Sequence, residues 1–465
     1  MIHFKKNIKK VFWLYALMFS ALVGYLLKFL IIDSSTVIIN TYNPRLTALE
    51  KNIHRGEIRD RNGEVLARTV VNGEDLIREY PKGRDFSHVV GFVQKGKTGV
   101  EAYSNFMLLE VSDRLLQRVN QLFSGDKLRG NNVILTLDAD IQHRARELLK
   151  GRKGAIVVME PSTGKILAMV SNPDFNPNEI SQNWAQLNKD EENSPLINRA
   201  TQGLYPPGSI YKIITAASAI ENFEDWQNFH YQCNGEAVFD NNLIRCYNSN
   251  AHGEVDLEKA IYLSCNTAFA QLGTELGGEK MQSISERLLF NRDLPYELEY
   301  SKSRFDLTKS SEEKEIVETT MGQGKTLVSP LHMAMITSAV ANGGILMKPY
   351  IIDHVETNYG REKNKQIPEK YGELFSPETA NQLTDMMVRV VNEGTGSQAK
   401  IANVSVAGKT GTAQNASGED HAWFIGFAPA EKPKVVVSVI IENGGSGGRV
   451  AGPIARELMN MVINQ

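Results

Sequence analysis

The sequence predicts an α+β fold with one antiparallel sheet, carried outside a membrane by a single N-terminal helix. Three observations lead there. Residues 11–32 form one long apolar run, and residues 33–150 alternate short strand patterns with polar turns. From 153 to 465, strand patterns stand at both ends and helical patterns between them.

The apolar run, taken as a helix of 22 residues, rises about 33 Å, enough for a hydrocarbon core of roughly 30 Å. Its one charge, Lys28, stands near an end, within reach of the interface. Lys5, Lys6, Lys9 and Lys10 precede it and no acid does, so the positive-inside rule places residues 1–10 in the cytoplasm and the remainder outside. The run is longer than a signal-peptide core, and Ile31-Ile32-Asp33-Ser34-Ser35 is a poor cleavage site, so the span reads as an uncleaved anchor.

In the stretch 33–150, Glu57 to Ala67 carries an Asn62-Gly63 step between short apolar-polar runs, a hairpin signal. No chemistry is visible there, and the stretch reads as a spacer or interaction module. The larger region opens with a hairpin: Gly154 to Met159, a turn at Pro161-Ser162-Thr163-Gly164, then Lys165 to Val170. Two further strands, Ala422 to Ala428 and Lys434 to Glu442, precede a last helix from Gly452 to about Ile463.

Of the 465 residues, 42% are hydrophobic and 23% charged, with a net charge of −3, which excludes wholesale disorder and gives no footing for nucleic acid. Three cysteines make no disulfide framework. Nine histidines are scattered, without His-Glu-x-x-His or Cys-x-x-Cys, so no metal site is expected. Two Gly-Lys-Thr steps, at Gly324 and Gly408, lack the earlier glycine of a phosphate loop, since Thr319 and Asn403 stand there.

The chemistry is carried by Ser-x-x-Lys. A serine hydroxyl needs a base in reach, and a lysine three residues on shares its helical face. Copies start at Ser124, Ser162, Ser209, Ser311 and Ser397, and context separates them. Only Ser209-Ile210-Tyr211-Lys212 follows Pro206-Pro207-Gly208 and opens an apolar helix, where free N–H groups favour a developing anion. Most serines before helices are plain caps, so two further motifs matter. Ser264-Cys265-Asn266 sets a hydroxyl and an amide inside an apolar segment. Lys409-Thr410-Gly411-Thr412 precedes the C-terminal strands and reads as an edge strand, where Gly411 admits a substrate backbone. Lys97-Thr98-Gly99 is a decoy upstream of Ser209.

Ser-x-x-Lys, Ser-x-Asn and Lys-Thr-Gly in this order resemble the signature of the penicillin-recognising serine acyltransferases. More closely, the chain resembles a class B penicillin-binding protein, a monofunctional peptidoglycan transpeptidase. Arg55 to Gly63, Gly99-Val100-Glu101, Leu135-Thr136-Leu137-Asp138 and Tyr205-Pro206-Pro207-Gly208-Ser209 are also similar to that family, and nearly the whole chain is covered. The resemblance implies a five-stranded antiparallel sheet with flanking helices and an all-helical lobe over 153–465, and a β-rich pedestal or dimerisation-like domain over 33–150. It implies that Ser209 attacks the penultimate D-Ala carbonyl of a stem peptide, that D-Ala leaves, and that an amine of a neighbouring stem peptide resolves the acyl-enzyme. Lys212 would be the base, Ser264 a proton relay, and Asn266 the holder of the peptide amide. Lys409, Thr410 and Thr412 would face the terminal carboxylate, and the N–H groups of Ser209 and Thr412 would form the oxyanion hole. β-Lactams would acylate the same serine. No cofactor and no metal is implied; a polytopic SEDS-type glycosyltransferase is the implied membrane partner.

Cys265 reads as an apolar filler. Cys233 and Cys246 are near enough in sequence to pair in an oxidising exterior, and that pairing stays open. A β-lactamase lacks support, since no Glu-x-x-x-Asn element lies between the second and third motifs. A bifunctional glycosyltransferase has no room. A D,D-carboxypeptidase and a catalytically weak scaffold for a membrane glycan polymerase remain open.

Overall fold

The computed structural model describes residues 2–28, 53–73, 75–111, 128–415 and 418–465. The N-terminal helix runs Ile2–Lys28, and its segment Lys9–Lys28 is long and apolar enough to cross a membrane, with none of it buried inside the protein. Residues 29–32 of the expected span, the weak cleavage site and the Ser124 motif lie outside the described residues.

The Asn62-Gly63 hairpin joins strands Ile58–Arg59 and Val65–Asn72. The Asp60 carboxylate accepts the N–H groups of Asn62 and Glu64, both at 2.8 Å, so the turn closes on a side chain as well as on its glycine. These strands belong to a mixed six-stranded sheet with Asp75–Glu79, Asn132–Leu135, Ile352–Glu356 and Glu362–Lys363. The last two come from far beyond residue 150, so the N-terminal region is completed by chain from the C-terminal region. Both are short and half-buried, with no alternation that marks a strand in the sequence.

Beneath this sheet lies a buried charge cluster. Arg55 Nε donates to Glu101 Oε2 at 2.6 Å and Arg78 Nε to Glu101 Oε1 at 2.7 Å. Arg55 also donates to Asn105 Oδ1, and Arg78 to the Gly56 carbonyl at 2.7 Å. Burial pushes the Glu101 carboxyl up, but the two guanidinium groups outweigh it and hold the pKa below its ordinary value.

The C-terminal region is built on five antiparallel strands in the spatial order Ala407–Ala413, His421–Ala428, Val435–Ile441, Gly154–Met159, Ile166–Asn172. The inner strands are apolar without alternation because both faces are covered. Ala155, Val157 and Met159 join the core that holds Met333 and Ile336 of helix Pro330–Ala341. Ile156 and Val158 join the opposite core, with Ile141, Ile454 and Leu458 of helices Ala139–Leu149 and Gly447–Ile463. Each such side chain contributes about 1.5–3 kcal/mol by leaving water. The last helix begins at Gly447, earlier than Gly452, and runs through Pro453, whose missing N–H removes one i→i−4 bond from its second turn. The helical lobe holds Lys212–Asn222, Leu257–Tyr262, Asn266–Arg287 and Glu313–Thr320. It also carries two small hairpins: His230–Cys233 with Gly253–Asp256, and Glu236–Phe239 with Asn242–Arg245.

Replacing Glu101 by Gln leaves two buried guanidinium groups without an anion. The variant is expected to lose about 3 kcal/mol or more of unfolding free energy, read as a lower urea midpoint at unchanged slope.

Candidate active site

Ser209 lies in a single 3₁₀ turn, Gly208–Tyr211, and Lys212 begins the α-helix Lys212–Asn222. The expected continuous helix is thus a tighter turn followed by a looser one. In 3₁₀ geometry residues i and i+3 eclipse, so Ser209 and Lys212 share a face. The turn is clamped from both sides. Gly208 N–H donates to the Gly322 carbonyl at 2.8 Å. Gly208 has φ +55°, and a Cβ on it would stand 2.6 Å from the Thr412 carbonyl oxygen. Only glycine lets the serine turn approach the strand Ala407–Ala413 this closely.

Gly411 was expected to make room for substrate. Its missing side chain instead makes room for the protein: a Cβ there would meet Trp423 Cβ at 2.9 Å, Ile210 Cγ2 at 3.0 Å and the Pro207 carbonyl at 3.1 Å. Trp423 Nε1 donates to the Pro206 carbonyl at 3.0 Å, tying the approach to the serine turn to the second strand.

Lys212 is wholly buried. Its Nζ donates to the Ser264 carbonyl at 2.9 Å, to Asn266 Oδ1 at 2.6 Å and to Ser264 Oγ at 3.3 Å. Burial lowers its pKa from the ordinary lysine value to about 8. The acceptors come from the turn between helices Leu257–Tyr262 and Asn266–Arg287, where Ser264 has φ 58°. That left-handed conformation is costly for serine and lets its carbonyl and hydroxyl both meet Lys212. Asn266 Nδ2 donates to the Arg245 carbonyl at 2.8 Å, which fixes its oxygen toward the lysine.

Lys409 is equally buried. Its Nζ donates to Ser264 Oγ at 3.1 Å and to the Thr410 carbonyl at 2.9 Å. Burial first, then the Lys212 ammonium, pushes its pKa well below the ordinary value. Ser264 Oγ therefore stands between two buried amines. Thr410 Oγ1 and Thr395 Oγ1 share a hydrogen bond at 2.6 Å. Ser209, Ser264, Asn266, Thr410 and Thr412 all line one cleft of about 1730 Å³.

Thr395 and Arg245 were not singled out from the sequence. Thr395 lies in Gly394-Thr395-Gly396, and nothing local links it to Thr410. Gly322 lies in the Gly-Gln-Gly-Lys-Thr stretch that fails as a phosphate loop; its glycine marks a turn packed against Gly208. The Ser397 motif forms a 3₁₀ turn at the cleft rim, and Ser162 and Lys165 lie in the turn joining strands Gly154–Met159 and Ile166–Asn172. Lys97-Thr98-Gly99 starts a short helix in the N-terminal region. The three cysteines, expected to be unrelated or at most one pair, converge with His252 beside the Ser264 turn, and all three are unbonded.

A family profile described as penicillin binding protein transpeptidase domain matches residues 154–460. One described as penicillin binding protein A dimerisation domain matches 55–133. The chain belongs to the penicillin-binding protein transpeptidases. A peptidoglycan D,D-transpeptidase, PbpA of Mycolicibacterium smegmatis, is 32% identical, with 91% of this chain and 92% of that one covered. The D,D-transpeptidase domain of a peptidoglycan glycosyltransferase from Eggerthella lenta superposes with a TM-score of 0.81 at 34% identity, covering 89% of this chain and 99% of that one. Penicillin-binding protein A of M. tuberculosis, as a ceftriaxone acyl-enzyme complex, superposes with a TM-score of 0.82 at 31% identity, covering 89% of this chain and all of that one. This penicillin-binding transpeptidase thus pairs the family's catalytic and dimerisation regions behind one apolar helix.

Gly208→Ala is expected to displace the serine turn from strand Ala407–Ala413. Acylation by a penicillin should slow by roughly 10²-fold, the scale of a one-ångström misplacement, with the melting temperature changed far less. Time-resolved intact-protein mass spectrometry reads the rate.

Proposed function

We propose that Ser209 carries the peptidoglycan D,D-transpeptidase activity of this chain through a covalent acyl-enzyme, and that β-lactams block it by acylating the same oxygen. The single observation that carries this reading is the Lys212 amine. It is sealed from water, has its pKa lowered to about 8, and shares a face with Ser209. An ammonium has no lone pair, so Lys212 acts as the base only after losing a proton. The neutral amine keeps two N–H groups, which the Ser264 carbonyl and Asn266 Oδ1 accept, and turns its lone pair toward the serine hydroxyl.

In the acylation step the Ser209 proton passes to Lys212 Nζ while Oγ bonds the penultimate D-Ala carbonyl carbon. The N–H groups of Ser209 and Thr412 receive the oxyanion, each such donor contributing about 2.7–4 kcal/mol. The peptide C–N bond then breaks, and the departing D-Ala amine takes the proton from Lys212 through Ser264 Oγ. In the second step an acceptor amine bonds the acyl carbon, the ester C–O bond breaks, and its proton returns by the same path to Ser209 Oγ. Thr410 and Thr412 face the substrate carboxylate, with the Lys409 charge directly behind them. Asn266 holds both Lys212 and the donor peptide amide.

Residues 1–10 lie in the cytoplasm, 11–32 span the membrane, 33–150 form the pedestal and 153–465 form the catalytic domain outside. The lysines at 5, 6, 9 and 10 support that orientation. A polytopic SEDS-type glycosyltransferase that meets the anchor and pedestal would supply nascent glycan to the cleft.

The test incubates the full chain with a penicillin. The wild type is expected to gain one long-lived drug adduct and Ser209→Ala none; an undiminished adduct on the alanine variant would sink the assignment. Lys212→Ala should slow acylation by roughly 10²–10⁴-fold. Since the neutral amine is the reactive form, the wild-type rate should fall about tenfold per pH unit below about 8 and level off above it. A profile flat from pH 6 to 9 would exclude Lys212 as the base. A donor stem peptide offered with and without an acceptor amine separates cross-linking from release to water.

A further inference from the structure

Behind the Ser264 turn, four side chains from four chain segments point their donor atoms at one spot. Cys233 ends the strand His230–Cys233, Cys246 follows the strand Asn242–Arg245, His252 precedes Gly253–Asp256, and Cys265 caps the helix Asn266–Arg287. Their sulfur and ring-nitrogen atoms lie within 4.8 Å of one another. Cys233 Sγ is 3.7 Å from Cys246 Sγ, Cys246 Sγ is 3.8 Å from Cys265 Sγ, and Cys233 Sγ is 3.4 Å from His252 Nδ1.

A tetrahedral zinc ion bound by sulfur at about 2.3 Å and nitrogen at 2.0–2.1 Å sets edges of about 3.8 Å between sulfurs and about 3.5 Å between sulfur and nitrogen. The three separations match those edges. The cysteines are 0%, 3% and 0% exposed and unbonded. A disulfide between any two would strand the third thiol, whereas one ion uses all three. The Thr267 hydroxyl lies 3.3 Å from Cys233 Sγ, 3.5 Å from Cys265 Sγ and 3.7 Å from Cys246 Sγ, placed to hydrogen-bond the ligand sulfurs from outside the ion.

We propose that Cys233, Cys246, His252 and Cys265 form a structural Zn²⁺ site that fixes the Ser264–Asn266 turn. Thiolate-rich tetrahedral ligation selects a soft or borderline ion, and a closed Cys₃His set is a structural zinc arrangement. On binding, the three thiols release their protons to solvent and the ion forms three Zn–S bonds and one Zn–N bond, with no change of oxidation state. Cys265 is the central residue of Ser264-Cys265-Asn266, and Cys246 follows Arg245, whose carbonyl holds the Asn266 amide. Two of the four ligands thus abut groups that present acceptors to Lys212. The ion would lock both small hairpins to that turn. Its effect on catalysis rests on the reading of Lys212 given above; its presence does not.

The Cys-x₁₂-Cys-x₅-His-x₁₂-Cys spacing matches no compact zinc motif, because the ligands are gathered by two hairpins and a helix cap rather than by one knuckle.

The test purifies the detergent-solubilised full chain in reducing buffer without chelator, equilibrates it with ZnCl₂, desalts it and measures zinc by elemental mass spectrometry. About one zinc per chain is expected, and less than a tenth of that in Cys246→Ser. His252→Gln keeps all three thiols and should weaken zinc retention by at least roughly tenfold against a chromogenic chelator. Co²⁺ in place of Zn²⁺ should give the intense visible bands of tetrahedral thiolate cobalt in the wild type and lose them in Cys246→Ser. A wild-type chain that melts cooperatively yet takes up no zinc overturns the site, as does zinc retained equally by both variants. Stripping the zinc should slow penicillin acylation by roughly tenfold or more, with re-addition restoring it. An unchanged rate on the stripped chain overturns the positioning role.

Discussion

An amine sealed from water with no carboxylate among its hydrogen-bond partners is the constraint on which the rest of the site depends. Moving an ammonium out of water costs several kcal/mol even after relaxation. Lys212 recovers part of that cost from neutral acceptors only: one backbone carbonyl, one hydroxyl and one amide oxygen. A carboxylate in their place would hold the proton and leave an inert ion pair. Neutral acceptors satisfy N–H groups without favouring the charged form as strongly, so the same burial that costs stability lowers the pKa of the lysine. Three acceptors within reach of one nitrogen require a backbone that turns sharply, and Ser264 supplies it in the left-handed region.

The serine side of the site is held by different means. The 3₁₀ turn that carries Ser209 is wedged between the Gly322 carbonyl and the strand Ala407–Ala413, and the wedge closes because Gly208 has no side chain. Among the described residues that strand is at the edge of the sheet, paired with His421–Ala428 alone. Its free edge faces the cleft, where an extended peptide can lie alongside it. A buried lysine with tuned basicity, a rigid serine turn and an open strand edge thus come from three separate parts of the fold.

The groups that meet in the cleft were legible in the sequence where their spacing is local. Ser209 and Lys212 are three residues apart and share a face in either helix type, so the pairing survived a misplaced helix start. Ser264 and Asn266 stood out because polar groups in an apolar segment need partners. What was not legible depends on contacts between distant segments. Thr395 meets Thr410 only because the loop after helix Pro377–Asn392 returns to the edge strand. Gly411 was correctly singled out for close approach, but the approaching group is Ile210 and Pro207, which the sequence cannot indicate. The small hairpins have strands of four mixed polar and apolar residues, too short for a period-two signal, so nothing in the sequence brought Cys265 and His252 to the Cys233 and Cys246 pair. The strands Ile352–Glu356 and Glu362–Lys363 escaped notice for the same reason.

Those two strands change how the N-terminal region relates to the catalytic one. A pedestal built only from residues before 150 would hang from the catalytic region by one connection. Here Ile352–Glu356 pairs with Asn132–Leu135 inside the pedestal sheet. Just before it, the Tyr350 carbonyl accepts the Ile166 N–H at 3.1 Å and the Thr136 hydroxyl at 3.2 Å. Thr136 Oγ1 also donates to the Ile166 carbonyl at 2.7 Å. Ile166 opens the strand at one edge of the five-stranded sheet, and Ala407–Ala413 forms the other edge. The pedestal therefore grips the sheet at the side away from the cleft. One sheet edge is consumed by the join to the N-terminal region, and the opposite edge, Ala407–Ala413, lies at the cleft. Five hydrogen-bonded strands thus connect the N-terminal region to the strand that packs against the serine turn.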